Sequence, residues 1–279
     1  MIGRADLHLH SSASDGQLRP AELVDFGAGQ GLEVLALTDH DSTEGVEEAL
    51  RAAQNRSVVL IPGVELNAQT TQGEAHVLGY FLDPGDQVLL RRLSERRSAR
   101  DHRAEVIVRR LSRLGYCLSW SRVLEIANGG SVGRPHIARA LAEAGYVCDV
   151  DEAFRRLIRK GAPAYVPTPT LTADEAVQWI LEARGLPVLA HPLQILESVP
   201  GLRKVGLVGL EVFYSGYVSE DMSFLSHFAE SAGLLQTGGS DFHGPEVSAT
   251  ATLGSAPLPW EHVERLLAAA RERGLSLGA

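Results

Sequence analysis

The sequence predicts an α/β fold, a parallel sheet or barrel interrupted by an α-helical insertion. Short β-type runs alternate with helical patterns through the first third of the 279 residues, the rhythm that builds parallel sheets with ligands at the strand C-termini. From 85 to 163 only helical periodicity occurs. The β/α alternation then resumes and continues to the end of the chain. The expected division is therefore barrel 1–84, helical insertion 85–163 and barrel 164–279.

Residues 5–9 read as the first strand, followed by a polar loop over 11–19. Pro20 then stands at a helix N1 position, with Leu23, Val24 and Phe26 apolar and Gly29 and Gly31 ending the helix. A second strand is expected over 33–38, a helix over 44–54, and a third strand over 58–61 closed by Pro62-Gly63. A further strand follows at 75–81. Asp83-Pro84-Gly85 is a turn signal. Leu89, Leu93, Ala104, Ile107, Leu111 and Leu114 then recur at helical spacing. Further helical patterns cover 121–127, 135–144 and 151–159, and 161–167 reads as the return linker. Beyond it the pattern predicts helices over 173–184, 219–232 and 261–273, and strands over 187–190, 207–213 and 234–238.

Composition narrows the function classes. Hydrophobic residues make up 44% and charged residues 22%, an ordinary globular balance. The formal charge is −9, which argues against nucleic-acid binding through a generally basic surface. Nine arginines nevertheless fall between Arg91 and Arg113 against three acids, giving the first predicted helix of the insertion a basic face. Cys117 and Cys148 show no CxxC pattern and read as free thiols in a reducing compartment. No apolar run is long enough to cross a bilayer. The start, Met1-Ile2-Gly3-Arg4-Ala5-Asp6, has no signal-peptide apolar region, so the expected location is cytoplasmic, with no membrane association and no obligate protein partner.

The ten histidines carry the functional signal. His8, His10, His40, His76, His191 and His243 are read at or just beyond the C-terminal ends of predicted strands, where a β/α barrel assembles its site. Asp6, Asp15, Asp39, Asp41, Glu65 and Asp241 accompany them. His8 and His10, two apart at a strand end, can point the same way. Imidazole and carboxylate together suit Zn, Mn or Fe, and gathering so many ionisable groups without a cation would cost several kcal/mol each in desolvation. Asp41 is read as a cap for the helix that follows. His102, His227 and His262 lie within helical patterns and read as core or surface residues.

Seven segments, in order, resemble the motifs of the PHP (polymerase and histidinol phosphatase) family. They are Asp6-Leu7-His8-Leu9-His10 with Asp15, Leu37-Thr38-Asp39-His40-Asp41, Pro62-Gly63-Val64-Glu65, Ala75-His76-Val77-Leu78-Gly79, Gly133-Arg134-Pro135-His136, Ala190-His191-Pro192 and Gly239-Ser240-Asp241-Phe242-His243. The chain looks most like the subgroup of nucleoside 3′,5′-bisphosphate phosphatases, which also trim short RNA from the 5′ end. The resemblance implies a distorted, TIM-like (β/α)7 barrel and three divalent ions, Mn, Fe or Zn. It implies that His8, His10, Glu65 and Asp241 hold one ion, that Glu65, His76 and His136 hold a second, and that Asp15, His40 and His243 hold a third. His191 would lie beside the cluster as a proton donor to the leaving oxygen, and Arg134 would bind the substrate phosphate.

The expected activity is hydrolysis of nucleotide phosphomonoesters, AMP or a nucleoside 3′,5′-bisphosphate, or of short 5′-phosphorylated single-stranded RNA. The nucleophile would be a water made acidic between two metals. Two readings stay open beside it: a phosphatase for another small metabolite such as histidinol phosphate, and a non-catalytic metal-binding module. Two departures from the subgroup lie near the expected substrate pocket. Gly161-Ala162-Pro163 stands where the subgroup has Gly-Lys-Pro, with Lys160 adjacent, and Leu193-Gln194-Ile195 stands where it has Gly-Arg-Tyr.

Overall fold

The computed structural model describes residues 4–127, 132–167, 171–245, 247 and 252–275. Met1, Ile2 and Gly3, part of the start read as lacking a signal peptide, lie outside them. The chain divides into two compact units, Met1–Arg91 with Thr170–Ala279, and Arg92–Pro169. The strands are β1 (Ala5–Leu9), β2 (Val34–Leu37), β3 (Val59–Gln69), β4 (Glu74–Tyr80), β5 (Leu186–Leu189), β6 (Gly209–Tyr214) and β7 (Leu235–Gly239). The helices are α1 (Pro20–Gly29), α2 (Val46–Gln54), α3 (Gln87–Arg113), α4 (Trp120–Ala127), α5 (Arg134–Glu143), α6 (Val150–Ala153), α7 (Ala173–Glu182), α8 (Val199–Lys204), α9 (Ser219–Ser231) and α10 (Trp260–Glu272). No described helix is long and apolar enough to cross a membrane.

In the first unit the seven strands form one sheet in chain order. It curls into a nearly closed barrel. Leu9 bridges Phe242 just past β7, the Asp241 N–H donates to the His8 carbonyl at 2.9 Å, and the His10 N–H donates to the Phe242 carbonyl at 3.0 Å. Side-chain alternation sorts the core. Val34 and Ala36 of β2 cluster with Ile61, Leu78, Tyr80, Leu186 and Val188 of the other strands. Leu35 and Leu37 pack instead with Leu23 and Val24 of α1 and Val46 and Ala49 of α2, the two faces that a period of two creates. Thr172 caps α7: its hydroxyl accepts the Glu175 N–H at 3.2 Å while the Glu175 carboxylate accepts the Thr172 N–H at 2.8 Å.

The sheet corrects the sequence reading at its third strand. β3 does not stop at Pro62-Gly63 but runs on to Gln69. Pro62 occupies the last position paired with β2, and pairing with β4 begins at Gly63. The dipeptide therefore marks a change of partner. A Cβ on Gly63 would sit 2.9 Å from the carbonyl oxygens of both Gly79 and Leu37, so only glycine fits where the three strands meet. β4 runs antiparallel to both β3 and β5, while all other neighbours are parallel. His76 consequently stands near the start of its strand, not at the end, and reaches the same rim because that strand is reversed.

The second unit is helical and has its own core. Ile107 and Leu111 of α3 pack with Val123 of α4, Ile137 and Leu141 of α5, and Leu157 and Ile158. The helix expected over 151–159 is α6 followed by a π-helical turn, Phe154–Ile158, and Asp149 caps it by accepting the Glu152 N–H at 2.7 Å. Arg103 and Arg110 of the basic face donate to the carbonyls of Val166 and Tyr165. Both cysteines are free and exposed.

Candidate metal centre

The side chains that converge in the first unit come from its strands and from the loops that follow them. His8 lies in β1 and His10 one residue past it, with rings 5.1 Å apart. The loop after β1 folds back on itself, with Ser14 and Gly16 N–H groups donating to the Ser11 carbonyl. A Cβ on Gly16 would sit 2.3 Å from the His10 carbonyl oxygen, so glycine allows the loop to lie against β1 and carry Asp15 inward. Asp39 pins that loop by accepting from the Ser11 N–H, the Ser11 hydroxyl and the Ser14 hydroxyl, each at 2.7 Å. His40 bridges Glu65 across β3. Asp41 is not the cap of α2, which begins after Gly45. Its carboxylate accepts from the Asn67 backbone and side chain at 3.3 and 3.2 Å, fixing the His40 loop to β3.

Eight residues converge in the first unit. His8, His10, Glu65 and Asp241 form one group, His10, Asp15, His40 and His243 a second, and His40, Glu65 and His76 a third. Glu65 is the hub. Its Oε2 lies 3.3 Å from His8 Nε2, 3.2 Å from His10 Nε2 and 2.9 Å from His40 Nδ1, and its Oε1 lies 2.7 Å from His76 Nδ1. Asp241 Oδ1 lies 3.1 Å from His10 Nε2 and 3.5 Å from His8 Nε2. His243 donates through Nδ1 to the Asp241 carbonyl at 2.9 Å and turns Nε2 toward Asp15 Oδ1 at 3.4 Å.

These groups fit divalent cations on two grounds. His8 Nε2, both ring nitrogens of His10 and Glu65 Oε2 are buried without a hydrogen bond, although His8, His10 and Glu65 are at most 1% exposed. Buried polar atoms are normally paired, and leaving one unpaired costs about 1–3 kcal/mol. The separations of 3.1–3.5 Å among the His8, His10, Glu65 and Asp241 donors match the edges of a four-coordinate shell with ligands at ~2.0–2.2 Å.

The electrostatics say what the groups do without a cation. Burial alone would push the carboxyls up, but His40, His8 and His76 hold Glu65 well below the usual carboxylate range, and His40, His243 and His10 do the same for Asp15. Burial is likewise outweighed at Asp241 by His8 and His10. In return Asp241 and Glu65 raise His10 to about 10 against the pull of burial, and Glu65 raises His76 to about 10. Burial wins at His40, whose pKa is lowered. Carboxylates and imidazoles thus share protons where cations would otherwise sit.

His191 follows β5, with its Nε2 3.6 Å from Glu65 Oε1 and its ring stacked 6.1 Å from that of His8. His191, Asp41 and Asp241 have positive φ, at 29°, 47° and 55°, three of the five non-glycine residues so placed among the described residues. Glu211 of β6 went unread in the sequence. It is fully buried, lies 2.9 Å from His8 Nδ1 and accepts the His191 N–H at 2.8 Å. Its signal was a carboxylate placed between Leu210 and Val212 in an otherwise apolar strand. Arg134 and His136 belong to the second unit. Arg134 begins α5 with its guanidinium 5.6 Å from the Phe154 ring centre, and His136 is buried and accepts the Gly133 N–H through Nδ1 at 3.0 Å. His102, His227 and His262 join none of the three groups.

Comparison with known proteins gives the chain its family. Residues 6–118 match the PHP domain family. Over 252 residues the chain is 34% identical to the 3′,5′-nucleoside bisphosphate phosphatase of Chromobacterium violaceum, with 88% of each chain covered. It is 33% identical over 252 residues to a 5′-3′ exoribonuclease of Haemophilus influenzae, covering 88% of this chain and 92% of that one. A crystal structure from Bifidobacterium adolescentis, assigned as a metal-dependent phosphoesterase, superposes with a TM-score of 0.87 at 31% identity over 98% of this chain and 97% of that one. With the barrel and its convergent imidazoles and carboxylates in place, the chain belongs to the PHP domain family and is a metal-dependent phosphoesterase.

Proposed function

We propose that the protein hydrolyses phosphomonoesters of nucleotides, AMP or nucleoside 3′,5′-bisphosphates, and short 5′-phosphorylated RNA, with three divalent ions, Mn, Fe or Zn. The observation that carries the reading is the convergence of His8, His10, Glu65 and Asp241 with buried donor atoms that no protein group satisfies. The relatives that act on nucleoside bisphosphates and RNA support the substrate class.

In this reading His8, His10, Glu65 and Asp241 hold one ion. Glu65 shares its second oxygen with His76 in another set, and Asp15, His40 and His243 make the third. The roles of His136 as a further ligand and of Arg134 as a phosphate contact rest on the Gly133-Arg134-Pro135-His136 motif. When bound, such cations polarise phosphoryl oxygens and lower the pKa of water. The protein's own part is to fix the donors and to manage protons. His191, 29% exposed and beside Glu65, would give a proton to the leaving oxygen, a contribution worth ~10²–10⁴ in rate. Arg134 would grip phosphate oxygens through its planar fork.

Metal analysis followed by phosphate release from AMP, a 3′,5′-bisphosphate, short 5′-phosphorylated RNA and histidinol phosphate tests the reading. Turnover confined to histidinol phosphate would overturn the nucleotide assignment, and a protein that takes up no metal would overturn the centre itself.

A further inference from the structure

Beside the cluster lies a cavity of ≈ 540 Å³, within the range of small-molecule sites. Its wall includes His191 and Asp241, which also face the convergent donors, so cavity and centre share an edge. The remaining wall comes from the tip of the β3–β4 hairpin (72–74), the turn after β5 (193–195), Tyr214 and Tyr217.

Two properties of this wall bear on what it can hold. The first is its charge. Among the described residues lining the cavity none is lysine or arginine, and the carboxylates there are Glu74 and Asp241. A second phosphate inside would give up water without gaining a lysine or arginine partner from these residues. The second is its shape. The Tyr214 and Tyr217 rings stand edge to face with centres 5.1 Å apart, and the His191 ring lies 5.6 Å from Tyr214. Both tyrosines are fixed: Tyr214 donates to Asp241 Oδ2 at 3.2 Å, and the Tyr217 hydroxyl accepts the Leu193 N–H at 3.1 Å. Pre-positioned aromatic faces bind flat rings at little entropic cost.

We infer that this cavity receives the leaving group of the ester and selects an uncharged one carrying a flat ring. The protein therefore prefers nucleoside monophosphates over nucleoside bisphosphates. The inference rests on the phosphoesterase reading and narrows it. The reacting phosphate lies toward the shared edge, the nucleoside fills the cavity, and a second phosphate on that nucleoside finds no lysine or arginine among the described wall residues to receive it. Gln194 makes this part of the wall neutral and Tyr217 supplies an aromatic face.

The experiment compares kcat/KM of the metal-loaded protein on AMP, adenosine 3′,5′-bisphosphate and the ring-free ester glycerol phosphate. The expected order places AMP about tenfold above each of the others, the scale of one stacked base or one unpaired charge. Tyr217→Ala should lower kcat/KM for AMP about tenfold with little change for glycerol phosphate, and Tyr217→Phe should retain AMP turnover. Gln194→Arg should shift the bisphosphate-to-monophosphate ratio about tenfold toward the bisphosphate. Independently of turnover, saturation-transfer NMR on the cation-free protein should show adenosine binding that Tyr217→Ala abolishes and Tyr217→Phe keeps. A bisphosphate hydrolysed as well as AMP, or adenosine binding indifferent to Tyr217→Ala, overturns the inference while leaving the phosphoesterase reading intact. Failure to hydrolyse any of the three esters removes both.

Discussion

Glu211 holds His8 by a buried carboxylate–imidazole contact of 2.9 Å between Oε1 and Nδ1, with neither side chain reaching solvent. Donating Nδ1–H to this carboxylate leaves Nε2 as the lone-pair donor, the nitrogen aimed at Glu65 and Asp241. The other oxygen of Glu211 accepts the His191 N–H. One carboxylate thus orients two histidines that come from β1 and from the loop after β5. Glu211→Gln should weaken cation binding about 10–100-fold with the fold retained. Metal titration beside circular dichroism checks this, and unchanged affinity would remove Glu211 from the positioning of His8.

Glu65 and Asp15 should differ in consequence when removed. Glu65 lies within 3.3 Å of four imidazoles with its two oxygens, whereas Asp15 faces the His10, His40 and His243 group alone. Asp15→Ala should lose cation from one group and abolish most phosphate release. Glu65→Ala should lower total metal content further. Elemental analysis of the two purified variants decides the order, and equal metal content in both would deny Glu65 a shared role.

Protons and cations compete for this site. In the cation-free protein His10 and His76 are held up to about 10, above the ordinary histidine value of about 6.5. Their protonation therefore stabilises the cation-free fold fully below about pH 6.5, and that contribution is lost as pH rises through about 10. Ligation needs the neutral rings. Adding cation should release protons in a weakly buffered solution, and apparent affinity should fall as the solution is made more acidic. Chelated protein should lose Tm between pH 6.5 and 9 more steeply than loaded protein. Metal uptake without proton release would show that the imidazoles are already neutral.

Gly239 stands where β7 passes β1, and a Cβ there would sit 2.3 Å from His8 Cβ and 2.5 Å from its backbone nitrogen. Gly239→Ala should cost about 1–3 kcal/mol through overpacking and displace a ligand at the same time. Thermal unfolding together with metal content should report both losses. A stable variant with full metal content would show that β1 can shift to accommodate the methyl group.

Much of this was readable before folding, for definite reasons. β1, β2 and the C-terminal strands announce themselves by apolar runs bounded by turn residues, and His8, His10, Asp15, His40, Glu65, Asp241 and His243 all follow or end such runs. The reversal of β4 was not readable. Its apolar pattern is the same in either direction, and Pro62-Gly63 resembles a strand end when it is a change of partner. The turns after β5, Pro192–Gln194 and Leu196–Ser198, are too short for any periodicity to show. Glu211 was hidden because a single acid in a buried strand carries no spacing signal. Its importance arises only when the sheet curls and brings Glu211 of β6 against His8 of β1 and the His191 backbone after β5.

The reversed strand has one further effect. Because β4 returns along β3, the two are joined by a tight connection in which Thr70 and Gly73 exchange backbone hydrogen bonds, rather than by a crossover helix. That tip, at 72–74, forms part of the cavity wall, while the cation-facing Glu65 and His76 are anchored deeper in the same two strands. Residues can be inserted or exchanged at the tip without moving either anchor. A library confined to those few positions is therefore the economical route to redirecting what the enzyme accepts while its hydrolytic core stays in place.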